Sequence, residues 1–206
     1  MLGFAALLLL ALALLLAAAT AALLYRIIHP PRKTYASALA KGDPTDPADL
    51  DLTARVETFR LSDDTDTPGW VIAGDQPDGP TAVILHGFGD SRYGALTWAP
   101  LLTPHAGRVV VFDARAHGEA SSKRSTGGLM EVEDALGILR QLDSPGPAVL
   151  FGYSMGAQIA IAIAAEAARR GERELIAGVI ADGPYRRWQE PAKRHLRCLG
   201  LPAQPL

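Results

Sequence analysis

The sequence has little of what disulfide-linked, nucleic-acid-binding or repetitive proteins need. It contains a single cysteine, Cys198, so no disulfide can form within the chain and no cysteine-rich metal cage can be assembled. The formal net charge is only -2, which provides no basic field to gather phosphates, so we expect no nucleic acid partner. Internal repeats and low-complexity tracts are absent too. With 49% hydrophobic residues among 206, the composition is that of a globular domain with a substantial core.

Charge is missing altogether from Met1 to Tyr25, a stretch dominated by Leu and Ala. As a helix it would span about 35 Å, which exceeds the hydrocarbon core of about 30 Å and leaves room for tilt. We therefore predict a transmembrane helix or signal anchor over residues 1–25. A cleaved signal peptide is the alternative, and Ala19-Thr20-Ala21 resembles a cleavage site. The lack of a basic n-region and the length of the apolar run favour an uncleaved anchor.

The residues after this span predict the orientation of the protein in the membrane and a linker to the folded domain. Arg26, Arg32 and Lys33 follow the span, and the positive-inside tendency then places the body on the cytoplasmic side of a single-pass membrane protein. Residues 26–50 are rich in proline and show no sustained hydrophobic period. We expect them to form a linker that builds no core. The remaining residues, 51–206, would form the folded domain.

That domain alternates short apolar runs with stretches of helical character. The runs are "RVETFRL" (55–61), "GWVIAG" (69–74), "TAVILHG" (81–87), "RVVVFD" (108–113), "PAVLFG" (147–152) and "IAGVIAD" (176–182). The later runs are almost continuously apolar, as strands of a parallel sheet covered by helices on both faces are. An amphipathic helix with Glu131, Glu133 and Asp134 near its start precedes the fifth run. A more uniformly apolar helix follows that run and ends at Gly171. We predict an α/β fold with a mostly parallel sheet in three layers.

The stretch "LFGYSMGAQI" (150–159) places Ser154 between two glycines, after a predicted strand and before a predicted helix. G-x-S-x-G in this context is the pattern of a nucleophilic serine on a tight turn, where glycines relieve crowding. Met155 would then offer its backbone N–H, at the start of the helix, to an oxyanion. An ordinary glycine-rich turn with a helix-capping serine is the alternative.

Two further motifs occur in order before this one. "LHGFGDSR" (85–92) follows the third run, and "FDARAHGEAS" (112–121) follows the fourth. With G-x-S-x-G, they resemble the α/β-hydrolase superfamily, whose members often carry H-G-x-x-G and D-x-R-G-H-G-x-S at these places; Ala116 stands where glycine is usual. Together with "HPPRKT" (29–34) and "PADLDL" (47–52), the match is similar to membrane-anchored bacterial hydrolases of the serine-aminopeptidase-like group.

The resemblance implies both an activity and the residues that perform it. The activity is cleavage of an ester, thioester or amide of a small acyl substrate through an acyl-enzyme on Ser154, with no metal or organic cofactor. Phe88 would supply the second oxyanion N–H beside that of Met155. His86 and His117 would have structural roles, one in the oxyanion loop and the other in the loop after the fourth strand.

The catalytic acid and base are the least evident parts of this machinery. In this fold they follow the serine in the order acid then histidine. Asp182 and His195 are a conceivable pair, but Asp182 could equally be a structural turn residue, and "AKRHLRCLG" resembles the start of a lid. The sequence predicts no strand of this sheet after the sixth, so we expect a C-terminally truncated hydrolase that is weak or inactive alone. The alternative is a non-catalytic binding protein or fragment that retains the front half of the fold.

Overall fold

A computed structural model describes residues 2–142 and 146–185, together with positions 190, 193 and 197. Within these residues the chain forms six strands, six α-helices and three short 3-10 turns. The strands are β1 (Ala54–Arg60), β2 (Asp66–Ala73), β3 (Thr81–Leu85), β4 (Arg108–Phe112), β5 (Ala148–Tyr153) and β6 (Ile176–Asp182). The helices are α1 (Leu2–Ile28), α2 (Tyr35–Lys41), α3 (Arg92–Leu96), α4 (Ala99–Leu102), α5 (Leu129–Gln141) and α6 (Met155–Arg170), and the 3-10 turns cover Pro47–Leu50, Thr103–His105 and Arg173–Leu175.

The six strands form one mixed sheet in the order β1-β2-β4-β3-β5-β6. The first two pairings, β1 with β2 and β2 with β4, are antiparallel, whereas β4, β3, β5 and β6 run parallel. The parallel strands therefore all end at one edge of the sheet, which we call the site edge. In α/β sheets, ligands bind beyond the carboxyl ends of the strands, so this edge is where a functional site is expected.

Alternate residues of the central strands face two separate hydrophobic cores. Val83 and Val110 belong to the core beneath α5 and α6, while Ile84 and Val111 belong to the core beneath α2, α3 and α4. Successive strand residues point to opposite faces, so runs without polar interruption supply both cores at once. The result is the predicted three-layer α/β architecture, which confirms the expected fold class.

The long apolar helix α1 stands apart from both cores. The stretch Gly3–Ile28 is long and apolar enough to cross a membrane, and none of its most apolar part is buried against the rest of the protein. Length and composition alone support this assignment, and a signal sequence would have the same features.

The proline-rich segment after α1 differs from the expected linker that builds no core. Residues 35–41 form α2, whose Ala38 is completely buried in the core beneath the sheet. Pro47 is buried as well, at the start of a 3-10 turn that Asp46 caps through the backbone N–H of Ala48. The segment lacks a hydrophobic period because it docks through isolated small residues, which periodicity cannot reveal.

Candidate active site

Ser154 lies at the turn between β5 and α6 with a backbone conformation that is unusual for a residue with a side chain. Its φ and ψ are 54° and −116°, and its side chain is exposed at the site edge. Such conformations cost about 1–3 kcal/mol and persist only where the surrounding structure imposes them. Here the backbone N–H of Ser154 donates to the carbonyl of Asp182 at 2.8 Å, which ties the turn to the end of β6. The geometry is that of a strained strand-to-helix turn that exposes a serine hydroxyl.

The two glycines of G-x-S-x-G are required by close backbone contacts. A Cβ atom at Gly152 would lie 2.2 Å from the carbonyl oxygen of Gly156. One at Gly156 would lie 1.9 Å from the carbonyl oxygen of Leu85, at the end of β3. Both contacts are with main-chain atoms, so no side chain can rotate away to make room. The turn is therefore possible only because α6 begins directly against the end of the neighbouring strand.

The loop after β3 borders the serine. A Cβ at Gly87 would lie 3.5 Å from the Cβ of Ser154 and 3.2 Å from the ring of Tyr153, which places this loop against the turn. Phe88 follows and is 38% exposed. Met155 is buried, but as the first residue of α6 its N–H has no acceptor within its own helix. Of the two predicted oxyanion residues, Met155 thus follows Ser154 in the chain, and Phe88 follows the glycine that packs against Ser154.

A polar chain of contacts fixes this loop in place. Tyr153 donates its hydroxyl to Asp90 Oδ2 at 2.8 Å, and Lys33 Nζ lies 3.2 Å from Asp90 Oδ1 and 2.9 Å from Asp43 Oδ2. Burial alone would raise the pKa of Asp90, but the hydrogen bonds from Tyr153 and from the Ser91 N–H, with the charge of Lys33, outweigh it and lower that pKa. Asp90 is therefore held as a carboxylate beneath the loop. Sequence analysis missed this role, because Lys33 lies 57 positions away in the proline-rich segment.

His86 connects the loops that follow β3 and β4. Its Nε2 accepts the backbone N–H of Ala114 at 2.9 Å, so Nδ1 carries the proton that it donates to the Gly87 carbonyl at 2.8 Å. The ring is fully buried, and burial lowers its pKa. With both ring nitrogens engaged by backbone, His86 is a neutral structural residue, as the sequence analysis expected.

His117 lies beside it with one nitrogen unused. Nδ1 is 2.8 Å from the Arg115 carbonyl, Nε2 has no hydrogen-bond partner within the described residues, and the ring contacts those of His86 and Phe88. Burial, with a smaller contribution from His86, lowers the pKa of His117 to about 4. Both histidines are thus neutral packing residues around the loop that carries Phe88.

This buried histidine predicts an acid-sensitive stability. Unfolded, His117 would titrate near 6.5, so between pH 6.5 and about 4 the unfolded chain binds more protons than the folded one. The free energy of unfolding should therefore fall as the pH drops through this window, by about 1.4 kcal/mol per pH unit from His117. Urea unfolding of detergent-solubilised protein at several pH values measures the slope. His117→Gln should reduce it, and equal slopes in the parent and variant proteins would contradict the assignment.

Buried ion pairs hold the loop after β4. Asp113 accepts the backbone N–H groups of Arg92 at 2.7 Å and Glu119 at 2.8 Å, and it also pairs with the Arg92 guanidinium. The Arg115 guanidinium binds both carboxylate oxygens of Asp134 in α5. Nε donates to Oδ2 at 2.6 Å, and Nη2 donates to Oδ1 at 2.7 Å. These pairs join the loop to α3 and α5, so the site edge is rigidly supported from both faces of the sheet.

The structure brings one of the two proposed acid and base residues to the site. Asp182 ends β6, pairs in register with Tyr153, and has an exposed side chain at the site edge beside Ser154. His195 lies outside the described residues. Asp182 thus stands where either of its sequence-based interpretations, catalytic acid or turn residue, would place it.

An open groove lies between the first turn of α5 and the first three turns of α6. It has a volume of about 400 Å³, and its lining includes Leu129 and Val132 from α5 and Gln158 and Ile159 from α6. The backbone N–H of Gln158 is 3.3 Å from the Ser154 carbonyl, so the groove starts one helical turn from the serine. Glu133 and Glu166 line it too, so the groove is mixed in polarity, and Ser154 itself is not among its lining residues.

Sequence comparison agrees with this geometry. Residues 82–205 match the family model described as "Alpha/beta hydrolase family", which spans more than half of the chain and includes β3, Ser154 and the end of β6. The chain therefore belongs to the α/β hydrolase family.

Two of three similar proteins are esterases by their names. The chain is 35% identical over 96 residues to protein phosphatase methylesterase 1 of Rattus norvegicus, covering 43% of this chain and 24% of that protein. It is also 35% identical over 96 residues to the magnesium-chelatase 30 kDa subunit of Rhodobacter capsulatus, covering 46% of this chain and 34% of that protein. A solved esterase structure from Pyrococcus furiosus superposes with a TM-score of 0.68 at 25% identity, covering 85% of this chain and 64% of that one. The chain thus spans less than two thirds of each of these relatives.

Proposed function

We propose that the protein is a serine hydrolase that cleaves an ester, thioester or amide bond of a small acyl substrate through an acyl-enzyme on Ser154. The observation that carries this proposal is the exposed Ser154 at φ 54°, with the Gly87–Phe88 loop packed directly against it. Membership of the hydrolase family supports it. An ordinary capping serine would have no need of a strained conformation, and Ser154 makes no side-chain capping hydrogen bond to α6.

In this mechanism the Ser154 oxygen attacks the acyl carbon while its proton passes to a base. The negative charge that develops on the carbonyl oxygen is stabilised by the backbone N–H groups of Phe88 and Met155. The leaving group then takes a proton and departs, and water hydrolyses the acyl-enzyme to release the acid. Asp182 and His195 remain the candidate acid and base.

Among the three bond types, the relatives favour esters. The similar proteins include an esterase of Pyrococcus furiosus and a methylesterase of Rattus norvegicus, by their names. We propose that this chain likewise cleaves an ester. We also propose that α1 anchors it as a single-pass membrane protein with a cytoplasmic body, supported by the length of α1 and by Arg26, Arg32 and Lys33 after the apolar run.

The nucleophile is tested by covalent labelling. The purified full-length protein, in detergent, should react with a fluorophosphonate probe and cleave a short-chain aryl ester, and Ser154→Ala should lose both because no oxygen remains to form the bond. Ser121→Ala, which removes another exposed hydroxyl near the site edge, should keep both activities.

Two results would contradict the proposal that Ser154 is the nucleophile. One is a folded parent protein that never labels, and the other is a Ser154→Ala variant that labels as strongly as the parent. Circular dichroism of all three proteins establishes that they are folded.

A further inference from the structure

The end of α1 is joined directly to the candidate active site. The carbonyl of Ile28, the last residue of α1, accepts a hydrogen bond from the backbone N–H of Ser125 at 2.8 Å. Ser125 belongs to the long connection that leaves β4 at the site edge and enters α5. The apolar helix therefore leaves the domain at the edge that carries Ser154.

The residues that follow α1 contact both loops of the site edge. Pro31 packs on the loop after β3, since a Cβ at Gly89 would lie 3.2 Å from the Pro31 Cγ. Arg32 donates to the carbonyl of Ala120 at 2.7 Å in the loop after β4. Lys33 binds Asp90, as described above. The connection between helix and domain is thus short and held by several polar contacts, so the domain cannot swing freely about the end of α1.

The length of this connection sets the depth of the site. Ile28 and Pro31 are three positions apart in the chain, so their Cα atoms are at most about 11 Å apart. The polar region on each side of the hydrocarbon core is about 5–7 Å thick. If α1 spans the bilayer up to Ile28, the loop that contains Phe88 lies at or just above the lipid headgroups. The opposite edge of the sheet, with the turn between β2 and β3, lies far from them.

Beside the end of α1, this edge carries exposed cations and an exposed leucine. Lys123 and Arg124 are exposed and directly precede Ser125, beside the end of α1, where Arg26 adds a third cation. Leu129 begins α5 at the same edge, is 81% exposed and lines the groove between α5 and α6. Exposed cations attract anionic lipid headgroups, and an exposed leucine is favourable where it can enter the interface.

We infer that the candidate active site opens onto the membrane surface and that its substrate is a lipid ester presented by an anionic bilayer. This inference rests on the proposed function. The acyl group would pass from the lipid alcohol to the Ser154 oxygen, and the alcohol would leave with a proton. Water would then cleave the acyl-enzyme, so one ester and one water yield one alcohol and one carboxylic acid.

Membrane proximity is tested without any need for activity. The full-length protein, with Cys198→Ser and one new cysteine, is placed in vesicles of phosphatidylcholine and phosphatidylglycerol and given a fluorescent label. A label at Leu129→Cys should be quenched several-fold more than one at Asp78→Cys by lipids that carry a spin label near the headgroup. Asp78 is exposed in the turn between β2 and β3, at the opposite edge. Equal quenching, or stronger quenching at position 78, would overturn the inference.

The substrate class is tested with two esters and the same vesicles. The parent protein should cleave a long-chain glycerol ester embedded in the bilayer as well as a soluble short-chain aryl ester. The double variant Lys123→Glu, Arg124→Glu should lose about tenfold in bilayer ester cleavage, because each cation near an anionic surface contributes to docking. Its rate on the soluble ester should stay within about twofold, since both residues are exposed and outside the site.

The outcomes separate this inference from the proposed function. If the soluble ester is cleaved through Ser154 but the bilayer ester is not, the lipid substrate is wrong and the hydrolase stands. If charge reversal changes neither rate, the contact with anionic headgroups is wrong. If neither ester is cleaved and the fluorophosphonate probe does not react, the hydrolase proposal fails and the lipid substrate with it.

Discussion

Replacing Gly156 with alanine is expected to lower the free energy of unfolding by more than about 3 kcal/mol and to abolish reaction at Ser154. The new Cβ would lie 1.9 Å from the carbonyl oxygen of Leu85 and 2.8 Å from that of His86. β3 lies between β4 and β5 and is hydrogen-bonded on both sides, so it cannot retreat. The start of α6 would have to move, and with it the turn that presents Ser154.

Gly137→Ala provides the matched control. Gly137 lies inside α5, and a Cβ there would meet no atom within 4 Å. The change should be neutral or stabilising, by up to about 1 kcal/mol, because alanine favours helix more than glycine does. Urea unfolding and fluorophosphonate labelling of the two variants measure both effects. A Gly156→Ala protein as stable and reactive as the parent would show that α6 does not begin against β3.

Replacing Asp134 with alanine is expected to cost about 3–5 kcal/mol of stability, because it leaves the Arg115 guanidinium buried without its main partner. The side chains of Arg115 and Asp134 are 2% and 3% exposed, and Asp134 also accepts the backbone N–H of Ser62 at 2.8 Å and its hydroxyl at 2.6 Å. Among the described residues Asp63 also forms an ion pair with Arg115, at 3.3 Å, but it cannot replace two short bonds.

The exposed pair between Arg140 and Glu172 gives the comparison. Its side chains are 44% and 34% exposed, so Glu172→Ala should cost no more than about 1 kcal/mol. Chemical denaturation of both variants in the same detergent measures the difference. A cost for Asp134→Ala as small as that for Glu172→Ala would mean that the Arg115 pair does not support the loop after β4.

The fold was predictable because its strongest signals are local. The apolar runs at 81–87, 108–113 and 147–152 became β3, β4 and β5 with ends shifted by one or two residues, and parallel, doubly covered strands need such runs. The position of Ser154 was equally predictable, because the strand, the two glycines and the helix around it are contiguous in sequence. The spatial approach of the loop that contains Phe88 followed from its place after a neighbouring strand.

What escaped prediction depends on residues far apart in sequence. In the sequence Asp134 is only one of three acids near the start of a predicted helix, but in the structure it serves mainly as the partner of Arg115. Glu131 instead accepts the backbone N–H groups of Thr126 and Gly128 ahead of the helix. The ion pair between Lys33 and Asp90 likewise joins residues that are far apart in sequence. No periodicity or motif marks such pairs, because each is created only when the chain folds.

The burial of α6 was also only partly predictable from its sequence. Its sequence is apolar on nearly all sides, yet Ile161 is 47% exposed while Ile159 and Ile163 are buried. Composition reports how much apolar surface a helix has, but the neighbours that cover it depend on the rest of the fold.

The central claim is that Ser154 presents its hydroxyl between the backbone N–H groups of Phe88 and Met155. A crystal structure of the full-length protein after reaction with a small phosphonate tests it most directly. The account predicts phosphorus bonded to the Ser154 oxygen, with the phosphoryl oxygen accepting hydrogen bonds from both N–H groups at about 2.7–3.1 Å. An adduct on any other residue, or a phosphoryl oxygen turned away from both amides, would contradict it.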